Sequence, residues 1–199
     1  MLTSLAIVAC SALAAPPELD RYDPVWTTPS PDASGSMPIG NGTLGANVWV
    51  EPSGDLLLLL SRTDAWSETD RLLKLGRIRV RCEPSPFAAG VRQQLRLARG
   101  VIEVTAADGS IISIFVRPTV DQLHAEARLA GAAKVSVAFE TWRTEKRVLE
   151  NTEELQSAWT MRDAPMELRR ELVFESADVV RVTQGLAPGV LWFHRNEHS

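Results

Sequence analysis

Between Gly76 and Cys82 the chain alternates without a break: Ile78, Val80 and Cys82 fall on one side of an extended backbone, and Arg77, Arg79 and Arg81 on the other. A period of two is the mark of a strand with one face in a core and the other solvated. Upstream, Leu44–Val50 and Leu56–Ser61 flank Glu51-Pro52-Ser53-Gly54-Asp55, whose turn formers predict a hairpin. Leu56 to Leu60 is apolar on both faces, as a central strand covered from both sides would be. Further strand signals follow at Val91–Leu97, Val101–Ala106, Ser110–Arg117, Gln122–Leu129, Lys134–Trp142, Glu167–Glu175, Val179–Thr183 and Val190–His194, with Asp108-Gly109 as a two-residue hairpin turn. Only Thr144–Trp159 carries a helical pattern, through Val148, Leu149, Leu155 and Trp159. Roughly a dozen short strands with frequent turns predict an all-β fold, an antiparallel β-sandwich.

Composition narrows the function classes. The chain has 199 residues and a formal charge of −4, with cations and anions mixed rather than blocked. No basic stripe suited to nucleic acid is present. The first residues, MLTSLAIVACSALAA, hold a short apolar run followed by Ala12-Leu13-Ala14, the small-x-small pattern of a signal-peptidase site. That run is shorter than the about 20 residues a membrane span needs. We therefore expect residues 1–14 to be a signal peptide and the protein to be exported. Ile7-Val8-Ala9-Cys10 also fits a lipoprotein box acylated on Cys10, the alternative to simple cleavage. With Cys10 removed, Cys82 is the remaining thiol, and its period-two setting places it in the core. Residues 15–37, rich in Pro, Ser, Thr and Asp, read as an extended lead-in whose Trp26 tucks against the domain. Residues 38–199 read as the sandwich, ending just after a strand as if cut.

Motifs of catalysis and cofactor binding fail on context. Gly40-Asn41-Gly42-Thr43-Leu44-Gly45 spells GxGxxG, but Met37-Pro38 precedes it where a dinucleotide fold needs a strand, and a strand follows it where that fold needs a helix. His194 and His198 stand four apart, but Arg195 occupies the position of the glutamate in a zinc HExxH motif. No metal, cofactor or catalytic residue is assigned. The remaining candidates are for sugar contact. Trp66 between Asp64 and Glu68 offers an apolar ring face beside hydrogen-bond acceptors, although core packing is an equal reading. Asn41 between two glycines is either a turn residue or an amide facing a sugar. Trp192, His194, Arg195 and Asn196 form a polar-aromatic group that is either a domain interface or a cleft rim.

Two blocks carry a resemblance. Pro38-Ile39-Gly40-Asn41-Gly42-Thr43-Leu44-Gly45-Ala46-Asn47-Val48, followed by Leu60-Ser61-Arg62-Thr63-Asp64-Ala65-Trp66-Ser67, resembles the opening of glycoside hydrolase family 95, the α-L-fucosidase and α-L-galactosidase family. The wording SGSMPIGNG, TDAWSE, RLLKLGRIRV, FETWR and LWFHRN is more similar still to the domain-of-unknown-function family 5703. The resemblance implies a β-supersandwich that precedes an (α/α)6 helical barrel holding the catalytic acids. That barrel lies outside this sequence, so the resemblance transfers no catalytic residue. It implies an N-terminal β-domain of an exported, glycoside-hydrolase-like protein, with a glycan as substrate and the barrel as intramolecular partner. The competing expectation is a non-catalytic carbohydrate-binding or structural module.

Overall fold

The computed structural model describes residues 18–183 and 189–194. Its strands are β1 (Val25–Trp26), β2 (Met37–Gly40), β3 (Leu44–Val50), β4 (Leu56–Trp66), β5 (Leu72–Glu83), β6 (Val91–Arg96), β7 (Val101–Ala106), β8 (Ile111–Val116), β9 (Leu123–Arg128), β10 (Lys134–Glu140), β11 (Arg147–Val148), β12 (Phe174–Glu175), β13 (Val179–Thr183) and β14 (Gly189–Phe193). Two short helices, α1 (Thr152–Ser157) and α2 (Met166–Leu172), lie between β11 and β12.

Two five-stranded sheets, ordered β1-β6-β7-β8-β9 and β10-β5-β4-β3-β2, make an all-β sandwich. Their pairing is antiparallel throughout. The inward residues fill one core, with Val48, Leu56, Leu58, Val80 and Cys82 from one sheet against Ile102, Val104, Ile112 and Ile114 from the other. Each fully buried aliphatic side chain of this kind stabilises the fold by roughly 1.5–3 kcal/mol before entropy is deducted. Cys82 sits in that core as its alternation predicts, and burial, reinforced by the nearby Asp55 charge, pushes its thiol up.

The other face of β5 is less wet than expected. Arg77, Arg79 and Arg81 are not simply solvated. Arg77 and Arg79 pair with Glu140, Arg79 reaches Glu51 and Asp55, and Arg81 reaches Asp55. The cations thus tie β5 to β10 and to the turn between β3 and β4.

Four local expectations are corrected. Met37–Gly40, expected as the end of the lead-in and its loop, is a strand that accommodates Pro38 because it is the sheet edge. Val25 and Trp26 pair with Gln94 and Gln93, so the lead-in contributes a strand, with the half-exposed Trp26 indole donating to the Gly35 carbonyl at 2.8 Å. Glu167–Glu175, expected as a strand, is mostly α2, with only Phe174–Glu175 extended. MELRREL is built of good helix formers, and Pro165 sits at the cap, where its missing N–H costs nothing. Thr144–Trp159 is α-helical only over Thr152–Ser157, where the Asn151 side chain accepts from Glu154 N at 2.8 Å, and a 3-10 turn begins at Trp159. Between them α1, α2 and β11 bury a second, small core of Leu149, Leu155, Ala158 and Val173.

Candidate functional site

The two blocks that carried the resemblance meet on one surface. The hairpin of β2 and β3 turns at the glycine loop, where Gly42 adopts φ +96°. A Cβ on Gly40 would lie 2.8 Å from the Leu44 carbonyl oxygen, so the loop closes only around glycine. Asn41 occupies the centre of this turn. Its Oδ1 accepts from Thr43 N and Leu44 N at 3.0 and 2.9 Å, and its Nδ2 donates to Arg117 O at 3.0 Å and to Asp121 Oδ1 at 3.2 Å. Both ends of the amide are thus engaged within the protein. Asn41 is the clasp that ties the glycine loop to the turn between β8 and β9.

Asp121 continues the connection. Arg62 donates to Asp121 Oδ2 at 2.9 Å and grips Asp64 with two bonds, at 2.8 and 2.9 Å. Hydrogen bonds from Arg62 hold the Asp64 carboxyl below the ordinary aspartate value against a smaller opposing effect of desolvation. A general acid in glycoside hydrolysis needs the opposite, a raised value. The arginine thus favours the charged form of Asp64. Between these elements lies an open groove of about 220 Å³, walled by the glycine loop, by Ser61, Arg62 and Thr63 of β4, and by Leu72 and Lys74 of β5. Trp66 lies just beyond it, directly across the ladder from Leu72, and the two are 46% and 55% exposed.

Glu68 points elsewhere. The turn between β4 and β5 is held by Ser67, whose buried hydroxyl accepts from Thr69 N and Arg71 N at 3.3 and 3.1 Å. Glu68 is consequently buried against the C-terminal elements. It accepts a hydrogen bond from Ser176 and lies 3.8 Å from His194 Nε2. The His194 Nδ1 contacts Asp178 Oδ1 at 3.0 Å, and Arg143 Nε reaches the same oxygen at 2.8 Å. Thr141 donates to the other Asp178 oxygen, and Arg143 also donates to Leu75 O at 3.0 Å. Glu68 and His194, chosen as separate candidates, therefore belong to one buried polar knot. Glu68 Oε2 and His194 Nε2 have no hydrogen-bond partner among the described residues.

Trp192 contributes backbone to β14 opposite Val180. Arg195 and Asn196, like Cys10 and the expected signal peptide, lie outside the described residues. Arg62, Asp121, Lys74, Arg143, Ser176 and Asp178 escaped the sequence reading. Their contacts span up to 108 residues of chain, and no local pattern announces such pairs. No group of three or more His, Cys, Asp or Glu suited to a metal ion occurs among the described residues. None of the described helices is long and apolar enough to cross a membrane.

No curated protein matches the chain. The profile described as Domain of unknown function (DUF5703) matches residues 25–199, which takes in both sheets, the glycine-loop groove and the buried knot. The chain belongs to this family of domains of unknown function.

Proposed function

We propose that this domain is the N-terminal β-sandwich of an exported, glycoside-hydrolase-like protein, and that its glycine-loop groove contributes sugar contacts while a helical barrel supplies the catalytic acids. The observation that carries this reading is that the two blocks resembling glycoside hydrolase family 95, the glycine block and the start of the second through Ser61, Arg62 and Thr63, line a single open groove. The groove has the makings of a sugar subsite. Thr43, Ser61, Arg62, Thr63 and Lys74 line it beside an exposed Leu72. A few polar groups around an apolar patch is the usual composition of a small-molecule cleft. The groove has no free pair of carboxylates, since Asp64 is bound to Arg62, and the domain alone acts by binding and support rather than by hydrolysis.

A second reading, a carbohydrate-binding module with no catalytic partner, is favoured by the exposed pair Trp66 and Leu72 at the groove's edge, an apolar platform on which a pyranose face can stack. Both readings are tested together. Titration of the chain with a panel of neutral and acidic oligosaccharides, followed by NMR shifts, is expected to perturb Thr43, Thr63 and Lys74. Lys74→Ala and Trp66→Ala should weaken whatever binding is seen. Turnover of aryl glycosides by this chain alone, lost on Asp64→Asn, would overturn the non-catalytic role. Binding that leaves the groove unperturbed would remove the sugar assignment from it.

A further inference from the structure

The two flanks of the sandwich are finished differently. At one, β2 packs beneath β7 and β8 and buries Met37. At the other, the edge strands β9 and β10 stand apart, and between them an apolar cleft of about 280 Å³ reaches inward to Leu58, Val80 and Ile112. Val135 and Val137 of β10 lie opposite Cys82 and Val80, which are core residues, yet they are 46% and 67% exposed. Among the described residues β10 pairs with β5 alone, over seven consecutive residues without a bulge. Proteins normally blunt such an edge with charged side chains, proline, a bulge or an inward charge, and β10 carries charge only at its two ends, Lys134 and Glu140, with no proline, bulge or inward charge between them.

The sequence of this edge complements itself. Lys134-Val135-Ser136-Val137-Ala138-Phe139-Glu140, laid antiparallel on a second copy about a two-fold axis through Val137, sets Lys134 against Glu140, Val135 against Phe139, Ser136 against Ala138 and Val137 against Val137. On the outer face, β5 extends this match, because Glu140 lies opposite Arg77 and Lys134 opposite Glu83. A row across the four strands then runs Arg77, Glu140, Lys134 and Glu83, alternating in sign, the last two from the second copy. The two-fold axis repeats that row at the other end. On the inner face, Val137 meets its own copy and Val135 meets Phe139. We infer that β10 is a self-pairing edge and that its partner is a second copy of this chain, joined antiparallel about Val137 into one continuous ten-stranded sheet. A strand pair of seven residues is a small interface, so the dimer dissociates on dilution.

The test uses the full chain with Cys10→Ser, so that Cys82, which is buried, is the remaining native thiol. Sedimentation velocity over a concentration series should show a reversible monomer–dimer equilibrium. Val137→Lys places two like charges at the axis and should abolish the dimer while leaving the circular dichroism spectrum unchanged. Lys134→Glu turns both cross-copy attractions into repulsions and should weaken it roughly tenfold. Because directly opposed residues bring their Cβ atoms within about 5.5 Å, Val137→Cys should give a disulfide-linked dimer on mild oxidation. Val182→Cys, exposed on β13, should not. A chain that stays monomeric at every concentration, with Val137→Cys cross-linking no better than Val182→Cys, overturns the proposal. A dimer indifferent to Val137→Lys and Lys134→Glu also overturns it and moves the contact to another surface.

Discussion

The sandwich of β1 to β10 and the segment from Thr141 to His194 are held together by different physics. In the sandwich, stability comes from alternation, as every second residue of several long strands enters one apolar core. Beyond Glu140 the apolar core shrinks to a few residues, the sheets are two-stranded pairs, and buried charge takes over. Arg143 and Asp178 form an ion pair with side chains 2% and 0% exposed. Arg71 bonds Glu175, which Arg147 also holds, and Glu68 and His194 complete the seam to the turn between β4 and β5. Apolar contacts tolerate a lost methylene at modest cost. A buried ion pair tolerates the loss of one partner badly, because the other charge is left without compensation.

That contrast sets the size and the reach of each expected effect. Asp178→Ala removes the carboxylate shared by Arg143, Thr141 and His194 and should cost about 3–5 kcal/mol. The loss should be local: amides of β11 to β13 lose hydrogen-exchange protection while those of β3, β4, β7 and β8 keep it. Uniform loss across both sheets would erase the distinction between the two regions. Ile114→Ala, in the centre of the main core, should cost about 3 kcal/mol and lower the urea midpoint of the whole sandwich in a single transition. A biphasic transition would show that the two sheets are not one cooperative unit.

Acid should act on the sandwich through its charge ladder. Hydrogen bonding from Arg81, partly opposed by burial and helped by Arg79, holds the Asp55 carboxyl below the ordinary value of 3.8. A folded value below the unfolded one contributes stability that is fully present above the unfolded value and is lost as pH falls through the folded one. The urea midpoint should therefore decline below about pH 4. Asp55→Asn should start lower and show a shallower decline, and an identical pH profile for both proteins would remove Asp55 from the ladder's pH response. Asn41→Ala should cost about 1–2 kcal/mol, the scale of a lost side-chain cap, and loosen the turn between β8 and β9. Asp64→Asn, on an exposed pair, should change stability by less than about 1 kcal/mol. A large loss there would show that Arg62 needs both of its carboxylates to hold the groove together.

The strand series from Leu44 to Glu140 was legible because a half-buried strand writes its orientation locally, one residue in and one residue out. Even the inward position of Cys82 follows from its two neighbours at spacing two. The turn at Glu51–Asp55 and the glycine loop were legible for a similar reason, since backbone conformations that favour particular residues leave those residues in the chain. The reading faltered where local preference was divided. Glu167–Glu175 has apolar residues that suggested a strand, whereas its helix formers and the proline cap favoured α2, whose Met166 packs against the small core. Pro38 argued against a strand until the sheet order placed it at an edge.

The candidate site divides along the same line. Asn41, Asp64, Trp66, Glu68 and His194 could each be named from residue type and surroundings in the chain. Their separation into two places could not. Asn41 and Asp64 belong to the groove through Arg62 and Asp121, whereas Glu68 turns away to meet His194 and Asp178. The sequence by itself determined the class of fold, most of the strands and which face of each enters the core, because alternation is a property of neighbouring residues. Only the tertiary structure decided which charges meet, since an ion pair between residues a hundred positions apart depends on where two backbones arrive and leaves no periodic trace along either of them.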